Sequence, residues 1–77
     1  MILYAIKDVK AGFQTPQEFV NDEVAIRAFK IATSDPRTML GQVPADFELW
    51  KIGEFDLQTG ELKTDLQFLC NVGGSNV

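Results

Sequence analysis

Aromatic rings and lysines occur together in two apolar segments, and this pairing is the most chemically distinctive feature of the sequence. Tyr4 and Lys7 belong to the first segment, and Trp50 and Lys51 belong to the second. Exposed rings stack on the bases of single-stranded nucleic acid, and nearby cations bind its phosphates. If both segments are strands, Tyr4 and Trp50 supply rings on one face of a sheet. The alternative platform on the other face uses Phe47 and Phe55 with the two lysines.

Arg27 and Lys30 are a second group of candidate phosphate ligands. They are three residues apart in a segment with helical periodicity, so their side chains are neighbours on one helix face. Together with Lys10 and Arg37 they would form a small basic patch. The alternative is an ordinary solvated helix face in which Glu23 pairs with Arg27.

Catalytic chemistry has little support in this sequence. The chain has no histidine, which is the commonest general base and a common metal ligand. The acidic residues are scattered, and the isolated glycines form no phosphate-binding loop. The single cysteine, Cys70, lies in an apolar stretch and is expected to be a buried small hydrophobic residue. We therefore expect no enzyme activity, no catalytic residue, no metal site and no cofactor.

The charge of the chain limits its partners. Eleven acidic and seven basic residues give a net charge of −4, which disfavours non-specific binding to duplex DNA. No apolar run is long enough to span a membrane. Lys7 interrupts the first apolar segment before a signal sequence could develop. We therefore expect no membrane partner and a protein that stays in the cytoplasm of the cell that makes it.

Three segments have clear secondary-structure signals. Residues 2–7 read as a strand, residues 23–33 as a helix and residues 47–55 as a second strand. In the helical segment, the apolar residues fall largely on one stripe, at positions 24, 25, 28, 29, 31 and 32. Asn21 and Asp22 are both suitable N-caps. The predicted fold class is α+β, with one main helix packed on a small antiparallel sheet.

The other segments are predicted less regularly. Residues 8–16 and 37–46 read as loops, and residues 17–20 as a short strand or a run-in to the helix. Residues 56–60 form a turn whose final glycine suits a bulged hairpin. A third strand starts at 61–63, and whether 66–72 continues it is open. The predicted order is strand, helix, strand, strand, in one domain over residues 1–72 with a disordered tail at 73–77.

The second face of the predicted sheet is the most informative feature. One helix covers only one face, and an uncovered apolar face commonly marks an interaction site. Three alternatives are open for this face: cover by the chain itself, a homodimer, or a platform for single-stranded nucleic acid. A homodimer is favoured because 77 residues make a small core with neither disulfide nor metal to support it.

Several segments together resemble a known protein family. They are LYAIKD near the N-terminus, VAIRAF in the helix, SDPRTML after it, the P-x-DF pair at 44–47, and IGEFD-x-x-TGEL at 52–62. In order and spacing they resemble the small non-structural protein of gokushovirus-type microviruses, which are single-stranded DNA phages. The resemblance covers about three quarters of the chain, and residues from Lys63 onward match nothing in particular.

The resemblance implies a role in phage DNA replication, in the synthesis of single-stranded genomes in the host cytoplasm. The first hypothesis is weak single-stranded DNA binding, with Tyr4 or Trp50 as stacking rings. The basic residues available for phosphates would be Lys7, Arg27, Lys30 and Lys51. The second hypothesis is a homodimeric adaptor that contacts a phage or host replication protein and no nucleic acid. A minor virion component is a third, weaker alternative.

Overall fold

The computed structural model describes residues 1–72, and the predicted tail at 73–77 lies outside the described residues. These described residues form one antiparallel sheet, two α-helices and a 3-10 turn at Pro44–Asp46. In chain order, the helices and strands of the described part are β1 (Ile2–Asp8), β2 (Gly12–Phe13), β3 (Gln17–Phe19), α1 (Asp22–Thr33), α2 (Met39–Gln42), β4 (Phe47–Phe55) and β5 (Leu62–Asn71).

The sheet is built on the two long strand pairs β1–β4 and β4–β5. Strand β1 lies next to β4, and β5 lies on the other side of β4. The short strands β2 and β3 both pair with β1, along its second side. Strand β5 therefore forms one edge of the sheet, and the two short strands form the other.

The fold class is the predicted one, but the element order is not. Three strands precede helix α1, so the predicted order of strand, helix, strand, strand is incomplete. Strand β2 lies within the predicted loop 8–16, and helix α2 lies within the predicted loop 37–46. Strand β2 and helix α2 have only two and four residues, too few to leave a periodic pattern, and for this reason the sequence did not indicate them.

Helix α1 begins at Asp22, one residue before the predicted start, and Asn21 is the one of the two predicted caps that the structure uses. The Asn21 side chain accepts a hydrogen bond from the backbone N–H of Val24 at 2.9 Å, which satisfies one of the free N–H groups of the first turn. Ala25, Phe29 and Thr33 are buried, at the spacing of one helix face. Ile31, assigned to the apolar stripe from the sequence, is instead 67% exposed. The buried face is thus narrower than the apolar pattern predicted.

The hydrophobic core lies between α1 and one face of the sheet. Ala25 and Phe29 of the helix pack against residues of three strands, namely Tyr4, Phe47, Leu49, Leu69 and Cys70. Leu40 of α2 packs against the same cluster. Both helices of the described chain therefore lie on this face, and no helix in residues 1–72 packs on the opposite one.

The hairpin β4–β5 closes through the predicted turn. Gly60 has a φ of +78°, the left-handed conformation that glycine adopts without strain, and its N–H donates to the Asp56 carbonyl at 2.8 Å. The open question about 66–72 is also answered, because Leu62–Asn71 is one continuous strand. Its register against β4 shifts twice, between Leu49 and Trp50 and between Lys51 and Gly53.

Candidate nucleic-acid interface

Three aromatic side chains form a cluster on the sheet face that no described helix covers. Trp50 of β4 lies between Phe13 of β2 and Phe68 of β5, with ring centroids 5.8 and 5.7 Å apart. Both neighbours stand nearly perpendicular to the indole, at 79° and 75°. Phe13 is 46% exposed, and Trp50 and Phe68 are half-buried. We call Phe13, Trp50 and Phe68 the aromatic cluster.

A lysine lies directly at this cluster. The Lys7 Nζ atom is 5.5 Å from the ring centroid of Phe13 and 5.5 Å from that of Trp50, within the range of a cation–π interaction. Strand register explains the contact: Ala5 lies opposite Trp50, and Lys7 lies two residues further along the same face of β1. One ammonium group therefore lies beside two rings that are open to solvent.

The Glu48 carboxylate lies on the same face. Glu48 lies opposite Lys7 in the β1–β4 register, and its Oε1 accepts a hydrogen bond from the indole Nε1 of Trp50 at 3.0 Å. This bond fixes the orientation of the indole ring. The carboxylate also places a negative charge next to the lysine, which opposes binding of an anionic ligand.

Tyr4 does not belong to this surface, and the predicted ring pair of Tyr4 and Trp50 is wrong. Tyr4 is only 1% exposed and lies in the core beneath helix α1, so no base can stack on it. The predicted alternative set fails too, because Phe47 is 1% exposed in the same core. The alternative platform placed Lys7 on the same sheet face as Phe47. In the structure, Lys7 lies on the opposite face, beside Trp50.

Tyr4 and Lys51 belong to a polar cluster at the start of α1. The Tyr4 hydroxyl donates to Asp22 Oδ1 at 2.6 Å, and Lys51 Nζ lies 3.0 Å from the same oxygen. The hydrogen bond from Tyr4 and the charge of Lys51 lower the pKa of the Asp22 carboxyl. Burial and the neighbouring carboxylate raise the pKa of the Tyr4 hydroxyl well above its usual value. This cluster joins the helix to the sheet, and its lysine is engaged by Asp22.

Removing the Tyr4 hydroxyl tests this cluster. We expect Tyr4→Phe to lower the free energy of unfolding by about 1.5 kcal/mol near neutral pH, the lower end for a hydrogen bond to a charged group, because Asp22 is partly exposed. The lowered pKa of Asp22 makes its contribution present above about pH 4 and lost in more acidic solution. The raised pKa of Tyr4 makes its contribution present below about pH 10 and lost as pH rises further.

Urea unfolding of wild type and Tyr4→Phe from about pH 3 to 11 measures this directly. The stability difference between the two proteins should be largest between about pH 5 and 9 and should shrink on both sides. A difference that does not change with pH would show that the variant acts through packing alone.

Arg27 and Lys30 are exposed on helix α1, which covers the opposite face of the sheet from Trp50. The other members of the predicted basic patch are engaged elsewhere. Lys10 pairs with Asp46 at 3.7 Å, and Arg37 pairs with Asp35 at 3.0 Å. The predicted pair of Glu23 with Arg27 is absent from the ion pairs of residues 1–72. The candidate basic residues thus do not converge on one surface.

Two residues of the aromatic cluster were not identified from the sequence. Phe13 lay in a segment expected to be a loop, and Phe68 lay in a segment whose pairing was open. Phe68 is opposite Trp50 only because of the register shift between Lys51 and Gly53. A regular hairpin counted back from the pair Phe55 and Leu62 would place Gln67 there instead. The aromatic side chains themselves were the only available signal.

The remaining features that could indicate a function are the single cysteine, possible metal ligands and possible membrane-spanning helices. Cys70 is 1% exposed, and burial raises the pKa of its thiol, as expected of a buried small hydrophobic residue. Residues 1–72 contain no group of three or more metal-ligating side chains placed to hold an ion. Among the same residues, neither helix has the length and apolar character required to cross a bilayer.

These features define a small α+β domain with one helix-covered sheet face and one face that presents rings and a lysine. A family model described as phage ORF5 protein matches residues 1–74, and the chain therefore belongs to the phage ORF5 protein family. It is a small bacteriophage protein. Comparison with curated proteins and with solved structures gives no match.

Proposed function

We propose that this protein is a non-structural accessory protein of a gokushovirus-type microvirus and binds single-stranded DNA weakly during synthesis of phage genomes. Membership in a phage protein family supports the phage context. The observation that carries the DNA-binding proposal is the position of Lys7, 5.5 Å from two ring centroids on the uncovered sheet face. Rings for bases and a cation for phosphate are the two components of a single-strand binding surface.

The geometry of the cluster accounts for weak binding. Because the three rings are nearly perpendicular to their neighbours, they form a corrugated surface on which one or two bases stack. One lysine neutralises about one phosphate. The net charge of −4 and the Glu48 carboxylate oppose the approach of DNA. A single chain therefore makes a small, low-affinity contact with no strong preference for sequence.

Fluorescence anisotropy of a labelled oligothymidine at about 50 and 200 mM salt tests the proposal, with Trp50 emission followed in the same sample. For a surface that neutralises Z phosphates of a single strand, the logarithm of affinity falls with the logarithm of salt at a slope of about −0.7Z. Salt-dependent binding accompanied by quenching of Trp50, the only tryptophan, supports the aromatic cluster as the site. Absence of binding at high micromolar protein and low salt would refute it.

The two charges beside Trp50 have opposite expected effects. Lys7→Gln should weaken oligothymidine binding by roughly threefold to tenfold at low salt and reduce the salt slope by about 0.7, because one phosphate contact is lost. Glu48→Gln should strengthen binding by a few-fold, since its amide oxygen still accepts the Trp50 hydrogen bond but the negative charge is gone.

Arg27→Gln on the opposite side of the molecule is the matched control for Lys7→Gln. Both substitutions remove one positive charge, so a non-specific effect of net charge alters both variants equally. Equal weakening by the two variants would place the contact outside the aromatic cluster. A strengthening by Glu48→Gln together with an unchanged Arg27→Gln variant would locate it there.

A second candidate function is a homodimeric adaptor that contacts a phage or host replication protein without touching nucleic acid. The acidic net charge and the open edge of strand β5 favour it. An apolar or backbone-paired interface is nearly insensitive to moderate salt, whereas a phosphate contact is not. Under either candidate, we propose that the protein acts in the host cytoplasm without catalytic activity of its own.

A further inference from the structure

Strand β5 is a long edge strand that is exposed along most of its length. It pairs with β4 on one side, and no described strand pairs with its other side. Residues 62–67 are all exposed, and Leu62 and Leu66 are 51% and 57% exposed. An unpaired edge presents free N–H and C=O groups to another strand. The opposite sheet edge differs, because it consists of strands of two and three residues.

The exposed part of β5 is complementary to itself. When two copies of Leu62–Lys63–Thr64–Asp65–Leu66 run antiparallel and are centred on Thr64, each lysine lies opposite an aspartate and each leucine opposite a leucine. Lys63 and Asp65 are two residues apart and line the same shallow hollow, so they share a face. The charges of this segment therefore favour pairing with a second copy.

We propose that a second copy of this chain pairs with β5 in this antiparallel register, about a two-fold axis at Thr64. The axis of such a pair is perpendicular to the sheet, so the two sheets join into one and equivalent faces stay on the same side. The two Trp50 side chains would lie on one continuous surface, roughly 25 Å apart. Pairing of five residues per copy buries less than a standard interface, so we expect a dissociation constant in the range of roughly 10–100 µM.

Charge reversal at the proposed contact tests the register. Sedimentation equilibrium over a wide range of protein concentration measures self-association without DNA, so its result is independent of the proposed DNA binding. Lys63→Asp places two acids opposite each other, and Asp65→Lys places two lysines opposite each other. We expect each single variant to self-associate at least about tenfold more weakly than wild type.

Mixing the two single variants separates this interface from a general loss of stability. In the mixed pair, one chain carries acids at both positions and its partner carries lysines at both, so both contacts become attractive. Lys63 also lies opposite Glu54 within its own hairpin, and any strain from its reversal persists in the mixture. We therefore expect the mixture to form a heterodimer at the affinity of wild type, and the double reversal in one chain to form a homodimer. Arg27→Asp, on helix α1, should leave association unchanged.

Cross-linking provides an independent measurement. Residues opposite each other in an antiparallel pair have Cα atoms about 4.5–5.5 Å apart, within the range of a disulfide. Thr64→Cys should therefore form a covalent dimer under mild oxidation, faster than Gln58→Cys in the hairpin turn. Buried Cys70 does not compete. Wild type that stays monomeric up to about 1 mM, or single variants that associate like wild type, would overturn the proposal. Failure of mixed Lys63→Asp and Asp65→Lys proteins to associate would also overturn the proposal.

Discussion

Replacing Gly41 with alanine should lower the free energy of unfolding by about 3 kcal/mol, the upper end for overpacking, because the new methyl group has no space. A Cβ atom on Gly41 would lie 1.7 Å from the backbone oxygen of Asp35 and 2.3 Å from its carbonyl carbon. Both are backbone atoms, so no side-chain rotation relieves the clash. A domain of this size has a total stability of roughly 4–12 kcal/mol, so the loss is a large part of it.

The contact at Gly41 holds the connection between α1 and α2. The Asp35 carbonyl accepts hydrogen bonds from the Thr38 N–H at 3.1 Å and from its hydroxyl at 3.0 Å, and the Gly41 N–H donates to the Thr38 carbonyl at 3.1 Å. Displacing residue 41 therefore disrupts the cap of α2 as well as the packing. Leu40 of the same turn packs against the core, so the disturbance reaches the helix side of the sheet.

Urea unfolding of Gly41→Ala and Gly60→Ala side by side separates the two roles of glycine. Gly60 has a positive φ but open space at its Cβ position, so its replacement costs only the backbone term of about 1 kcal/mol. We expect unchanged m-values and a clearly larger loss for Gly41→Ala. Equal losses in the free energy of unfolding would mean that the loop between α1 and α2 relaxes around the added methyl group. The close approach of Gly41 to the Asp35 backbone would then contribute little to stability.

Patterns within one segment predicted the structure well, whereas relations between segments were harder to infer. An N-cap at Asn21 or Asp22 and Gly60 as the end of the hairpin turn were predicted from local chemistry, and the structure has the cap at Asn21 and the turn at Gly60. The alternation within β1, and within β4 as far as Lys51, matches the structure, but a register shift between Lys51 and Gly53 interrupts it in the rest of β4. Which residues of β1 share a sheet face with which residues of β4 depends on the register of the two strands. This register includes a shift between Leu3 and Tyr4, which no local sequence pattern encodes. Tyr4 was consequently assigned to the face of Trp50.

The candidate site was predicted in part for the same reason. Trp50 and Lys7 were both named as contact residues, and the structure brings them together on the uncovered face. Their partners Phe13 and Phe68 come from a two-residue strand and from a strand with a shifted register. Such contacts are set by tertiary packing. The sequence therefore indicated that rings and a lysine would form the candidate site, but not all of the residues that form it.

Trp50 is the residue whose loss should affect DNA binding most. It contacts Phe13 and Phe68 and lies 5.5 Å from Lys7, so its removal separates the rings from one another and from the cation. Base stacking on an aromatic side chain contributes about 1–3 kcal/mol per base, which corresponds to a roughly fivefold to 150-fold change in affinity. We expect Trp50→Ala to reduce oligothymidine binding by roughly 10- to 100-fold, measured by anisotropy at low salt.

Two further variants distinguish lost stacking from a general disturbance. Trp50→Phe keeps an aromatic face and should retain most of the affinity, although it loses the hydrogen bond to Glu48. Ile31→Ala removes an exposed apolar side chain from the far side of α1 and should bind like wild type. Circular dichroism confirms that each variant is folded before its affinity is compared. If Trp50→Ala binds oligothymidine as tightly as wild type, the aromatic cluster is excluded as the DNA site. The function to test next would then be a salt-insensitive interaction with a replication protein. The acidic net charge and the open edge of β5 favour that alternative.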